Sequence, residues 1–136
     1  MKYSFKTSSK RRTNRKKFYK ADSNQRRILM SSKLEKNLGK IHKLKTIPLR
    51  KGDEVKILRG DKKGKIGKIV QLSRKGIFIY INTVTYKKMK GDENYLPIHP
   101  SNVEILNLIL TPERKKYLNL IAFESKKFSA KNYNKL

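Results

Sequence analysis

Cysteine is absent from the 136 residues. That excludes a disulfide framework and a thiolate metal site. The two histidines, His42 and His99, lie far apart and have no cysteine neighbours, so no metal centre is expected. Acidic side chains are scarce: 10 Asp and Glu stand against 36 Lys and Arg. No apolar run approaches the ~18 residues that span a bilayer, so no membrane partner of that kind is expected. A secretory leader needs an apolar stretch after its basic start. Residues 1–20 contain none. No paired carboxylates, Ser/His/Asp set or metal-ligand cluster stands out. The chain is therefore not expected to be an enzyme, to use a cofactor or to take a small-molecule substrate. Asp53 and Glu54 are adjacent in a strand-like run, which points them to opposite faces and rules them out as a catalytic pair.

What the chain has in excess is positive charge. The formal net charge is +26. Self-repulsion on that scale opposes compaction unless an anion neutralises it. Nucleic acid and anionic membrane are the natural polyanions. The charge is densest at the start: residues 1–48 hold 16 basic and 2 acidic side chains. The run "SSKRRTNRKKFYK" is too polar to bury enough surface to offset its ordering entropy. Residues 1–21 therefore read as a basic arm, disordered alone and folded on a partner. Phe18 and Tyr19, interleaved with the cations, suit a nucleic-acid arm; a solubilising tail is the plainer alternative. An acid-free start rich in Arg and Ser also has the composition of a mitochondrial transit peptide.

Residues 22–48 read as a short helical segment. Asp22 is placed to cap a helix, with Gln25 three residues later. Ser32 and Glu35 repeat the pattern in its stronger form, and Gly39 is a candidate helix stop. Ile28, Leu34 and Leu38 would dock these helices on a core, leaving Arg26 and Arg27 facing outward.

Residues 49–110 read as strands. "EVKIL" alternates about Val55 and Ile57. "KIGKIVQL" alternates imperfectly, and Gly67 sits where the pattern slips, which suggests a bulge. "GIFIYINTV" puts Ile77, Ile79 and Ile81 on one face and Phe78 and Tyr80 on the other. Those two aromatics would receive a flanking element, or stack on bases. "VEILNLIL" supplies a last strand. Short strands joined by the turns "RGDKKG" and "SRKG" predict a small antiparallel barrel. So few residues lie near the lower limit for an independent core, so flanking elements should pack on it. In residues 111–136, Thr111 caps, Pro112 opens and Glu113 complements the dipole of a helix of ~12 residues. Leu118, Ile121 and Ala122 carry its helical spacing. The tail after it is polar and expected to be mobile.

The segment "RGDKKGKIGKIV" joins a basic, glycine-bent turn to an apolar strand. Gly60 and Gly64 can take the positive φ that a tight connection demands. Gly67, without a β-carbon, permits close approach of another backbone. Lys62, Lys63 and Lys65 would project from the tip, with Arg59 and Lys68 on its shoulders. Such a tip suits phosphates, giving affinity rather than base discrimination.

"KGDEVKILRGDKKGKIGKIVQL" resembles the KOW motif, through Gly52-Asp53, Val55, Gly60, Lys63-Gly64, Gly67 and Ile69. KOW motifs occur in ribosomal proteins and in transcription elongation factors. The flanks "RRTNRKKFYKADSNQRRILMSSKLEKNL", "IPLRKGDEV", "IYINTV", "IHPSNVEI" and "RKKYL" are similar to one family. It is the large-subunit ribosomal protein family called L-twenty-six in eukaryotes, the counterpart of bacterial L-twenty-four. The resemblance runs over residues 10–125.

It implies a mostly β fold with flanking helices: an SH3-like small β-barrel carrying a basic N-terminal arm and a C-terminal helix. It implies a structural protein without enzymatic activity that binds large-subunit ribosomal RNA and acts early in subunit assembly near the peptide tunnel exit. Neighbouring ribosomal proteins and tunnel-exit factors are the implied partners. Cytoplasmic ribosomes are the implied location, with nuclear or nucleolar assembly in a eukaryote. Carried over by position, the RNA contacts would be Arg11, Arg12, Arg15, Lys16, Lys17, Arg26 and Arg27 in the arm region, and Arg59, Lys62, Lys63, Lys65 and Lys68 in the KOW loop. Arg50, Arg74 and Lys75, in the flanking turns, complete the set. His99 of "HPS" would be structural or touch a phosphate. The resemblance assigns the N-terminal stretch to the family's arm rather than to a transit peptide. "SSKLEK" lacks a proline common in relatives, and residues 87–97 match poorly. The competing reading is a KOW-type transcription elongation module.

Overall fold

The structure, a computed structural model, describes residues 8–133, with side chains as far as Phe123. Two helices come first, α1 (Arg11–Tyr19) and α2 (Ser23–Leu29). Strand β1 (Ser31–Leu34), helix α3 (Lys36–His42) and strand β2 (Thr46–Pro48) follow. The central strands are β3 (Glu54–Ile57), β4 (Ile66–Ser73) and β5 (Phe78–Ile81). A short ribbon, β6 (Thr85–Lys87) with β7 (Glu93–Tyr95), precedes β8 (Val103–Asn107), and α4 (Pro112–Tyr133) closes the chain.

Six strands form one sheet in the order β2-β1-β8-β3-β4-β5. It is an open sheet, not the closed barrel the short strands suggested. Nor is it all antiparallel: β1 runs parallel to β8, pairing Lys33 with Glu104 and Leu34 with Ile105. Past β5 a single bridge joins Ile79 to Ile98. The alternation read in β3 and β5 holds, and β8 alternates as well. Val55, Ile57, Ile79, Ile81, Val103 and Ile105 are all at most 2% exposed. Each such side chain contributes about 2–3 kcal/mol of burial. Leu118 of α4 joins this core, and Leu38 and Ile121 pack at its edge.

Residues 31–35 differ from the helical reading. Ser32 caps nothing. It is buried in β1, and its hydroxyl donates to the Pro100 carbonyl at 2.6 Å. A partner 68 residues away outcompetes the local cap. Helix α3 starts after Glu35, whose side chain makes no capping bond. Gly39 lies inside this helix, where the Leu44 carbonyl oxygen would stand 3.1 Å from an added Cβ. The turn out of α3 is made instead by Lys43 at φ 56°. Asp22 does cap α2, accepting the Gln25 N–H at 2.8 Å. Ile28 does not dock; it is 66% exposed.

Three further readings change. Gly67 pairs regularly with Val55, and the irregularity in β4 falls between Ile69 and Gln71, against β5. What crowds Gly67 is the chain at Ile81, Asn82 and Thr83, whose side-chain atoms lie 2.5–2.6 Å from where a Cβ would stand. Phe78 receives no flanking element and is 38% exposed, while Tyr80 is half-buried. Helix α4 runs 22 residues, well past the expected end, continuing through part of the tail expected to be mobile. The last residues of that tail lie outside the described ones.

Candidate nucleic-acid interface

The β3–β4 connection is built as its glycines require. Gly60 and Gly64 hold φ +93° and +86°, with open space where a Cβ would point. The Gly64 N–H donates to the Ile57 carbonyl at 2.8 Å, and the Lys63 N–H to the Gly60 carbonyl at 3.0 Å. These bonds close the turn through its backbone and leave its side chains outside. Arg59, Lys63, Lys65 and Lys68 are exposed, and Lys62 is half-buried. Among the described residues the ion pairs are Lys33–Glu104, Lys87–Glu93 and Arg114–Asp53, so no loop cation is neutralised.

The arm carries a helix where disorder was expected. Helix α1 buries no residue, and Arg11, Arg12, Arg15, Lys16 and Lys17 are all exposed on it or at its edge. Local contacts support it: the Asn14 side-chain amide donates to the Ser8 carbonyl at 3.0 Å, and the Arg15 guanidinium lies 5.4 Å from the Tyr19 ring centre. With few tertiary partners, the helix presents nearly all its cations to solvent.

Arg26 and Arg27 do not face outward as expected; both are half-buried. Arg26 donates to the Tyr19 carbonyl at 3.3 Å. The Arg27 guanidinium lies over the Tyr117 ring of α4, 5.0 Å from its centre. That places Arg27 beside Arg50 and Arg74 in one cleft of about 450 Å³. Lys51 completes the cationic rim, over an apolar floor of Met30, Leu49 and Leu72. Lys75 sits next to Arg74 in the β4–β5 turn and is exposed. The arm, the KOW loop and this cleft are thus three separate clusters of the predicted contacts.

Beneath the cleft is a group the sequence reading missed. Asp53 and Arg114 are 0% and 1% exposed. Arg114 grips Asp53 with both terminal nitrogens, at 2.5 and 2.8 Å. Asp53 also accepts the Arg50 and Ile109 N–H groups, at 2.9 and 3.2 Å. Arg114 donates further to the Pro48 and Ile109 carbonyls. The pair ties the start of β3 to α4 and fixes the backbone at Arg50. A separation of 61 residues leaves no one-dimensional signal for it. Gly52 beside it holds φ +89°, a left-handed conformation that side chains rarely adopt, and a Cβ there would also push the end of the Ile109 side chain aside.

His99 is structural. Its Nδ1 accepts the Ser101 N–H at 3.2 Å and caps a single 3-10 turn, Pro100–Asn102. Among the described residues no group of His, Asp or Glu could hold a metal ion, and no helix is long and apolar enough to cross a membrane.

Residues 8–120 match the family model of the eukaryotic ribosomal proteins L26 and their archaeal L-twenty-four counterparts. The chain belongs to that family. It is 39% identical over 120 residues to the "Large ribosomal subunit protein uL24" of Littorina littorea, covering 88% of this chain and 83% of that one. As a member of a ribosomal structural-protein family it is not an enzyme. The matched span takes in α1, the β3–β4 hairpin, the cleft and the Asp53–Arg114 pair. Every cationic cluster described above therefore lies in the part of the chain shared with the family.

Proposed function

We propose that this chain is a structural constituent of the large ribosomal subunit that clamps ribosomal RNA through its arm and KOW loop. The observation that carries the reading is the family match over residues 8–120. The unneutralised cations on α1 and on the β3–β4 turn support it. Lysines on a loop deliver point charges to phosphates without reading bases, and counterion release makes such binding steeply salt-dependent.

In this reading the strands of residues 49–110 are the family's SH3-like unit, here an open sheet extended at one edge by β1 and β2. Residues 1–21 thread RNA, α4 covers the sheet, and neighbouring ribosomal proteins are further partners. The protein joins the subunit early, near the peptide exit, and works in cytoplasmic ribosomes, after nucleolar assembly if the cell is eukaryotic. Tunnel-exit factors are its further partners.

The test is sedimentation of a cell lysate through sucrose at roughly 0.5 M salt, where phosphate-only binding is largely lost. The chain is expected to stay with the large subunit. Release to the top of the gradient would overturn the reading and favour an elongation module that visits polymerase.

A further inference from the structure

The cleft between α2, the β2–β3 turn and the end of β4 differs in kind from the arm and the loop. Its cations are oriented, not merely exposed. Arg27 is stacked on Tyr117, Arg74 donates to Ser23 Oγ at 3.3 Å, and Arg50 donates to Thr111 Oγ1 at 3.4 Å. None of the three ion pairs among the described residues involves them. A cluster held in place in advance loses little side-chain entropy when it captures an anion.

The floor is the second observation. A clamp for a helical backbone needs cations alone. Here half-buried Leu72 offers apolar surface among the cations, above Met30 and Leu49, which belong to the core at 3% and 6% exposed and are tied by the Leu49 N–H to the Met30 carbonyl at 3.0 Å. A volume of about 450 Å³ falls in the range of small-ligand sites. Paired RNA buries its bases and offers such a floor nothing apolar; an unpaired nucleotide offers both a phosphate and an exposed base.

We propose that this cleft holds one unpaired RNA nucleotide, its phosphate on Arg50, Lys51 and Arg74 and its base on Leu72 beside the Arg27 plane. The proposal rests on the RNA-binding reading above and deepens it. Arginine planes, like aromatic rings, are usual seats of splayed bases, and Arg27 supplies such a plane here.

The test uses the full chain and a short oligouridylate carrying 4-thiouridine, cross-linked by near-ultraviolet light and mapped by mass spectrometry. Cross-links are expected on the peptides containing Met30, Leu49 or Leu72. The variant Lys51→Gln/Arg74→Gln should bind this strand about tenfold more weakly, with a salt slope lower by about 1.4, at about 0.7 per lost contact. Binding of an RNA duplex should hardly change. Should that variant not fold, the cross-link map of the unaltered chain decides. Cross-links confined to the arm and the 59–68 loop would overturn the cleft and leave the RNA reading intact. Binding of neither strand nor duplex would overturn both. Protection of the same peptides by poly-glutamate as well as by oligouridylate would assign the cleft to an acidic protein segment instead.

Discussion

Removing the carboxylate of Asp53 should damage the fold far more than any single surface change. The pair is buried, 0% and 1% exposed, and its oxygens take two guanidinium and two backbone N–H groups. Deleting one partner of a buried ion pair leaves an uncompensated charge and costs about 3–5 kcal/mol. For a domain of roughly this size, 1 kcal/mol moves the melting point about 4 °C. Asp53→Ala should therefore melt about 12–20 °C below the parent by circular dichroism. The double variant Asp53→Leu/Arg114→Met removes both charges and keeps apolar volume, so it should regain much of that loss. Its recovery stays partial, because the Arg50 and Ile109 N–H groups still lack an acceptor. A melt of Asp53→Ala within about 2 °C of the parent would refute the argument that this pair is a desolvated linchpin.

Three other outcomes are expected. Lys62, Lys63 and Lys65 changed together to Glu should weaken RNA binding and lower the salt slope by at least about 2, with an unmoved melt because their side chains support no core; unchanged binding across a salt series would remove the loop from the interface. Gly67→Ala should destabilise more than Gly64→Ala in paired urea melts. The first drives a methyl into the β-branched side chains of Ile81 and Thr83 and into Asn82, held by the Lys68 N–H at 2.9 Å. The second meets open space and costs only about 1–2 kcal/mol of left-handed strain. Ser32→Ala should cost about 1 kcal/mol in the same assay, by removing one of two donors to the Pro100 carbonyl, which keeps the Val103 N–H.

The strands were legible where a period of two was unbroken. In "GIFIYINTV" every second residue, Ile77, Ile79 and Ile81, is buried as read. Their direction and neighbours were not legible, since parallel pairing of β1 with β8 depends on a contact between residues about seventy positions apart. Ser32 shows the general difficulty. A serine followed three residues later by glutamate is a helix signal only if nothing distant offers the hydroxyl a better acceptor. The KOW turn was readable because its glycines are needed locally, at φ +93° and +86°, whatever the rest of the chain does. The cleft was half-readable: Arg27, Arg50 and Arg74 stood out as cations, but only the fold brings them over one floor.

The same scarcity that opened the reading explains how the surface stays basic. Of the 10 acidic residues one, Asp61, is exposed within the β3–β4 loop, where none of the ion pairs among the described residues involves it. Asp53 is instead enclosed, where it neutralises Arg114, the cation that is itself buried. Two exposed pairs are long, at 3.9 and 4.0 Å, and neither touches the loop, the α1 face or the cleft. Surface pairs of that kind contribute little to stability. The fold therefore draws its cohesion from isoleucine and valine packing and from one enclosed ion pair. Among the described residues, the cations of the loop, of α1 and of the cleft have no acidic partner, so an anionic ligand would displace no internal salt bridge to reach them. Stabilising charge is thus separated from exposed charge: the one ion pair that is fully enclosed lies away from the surface cations.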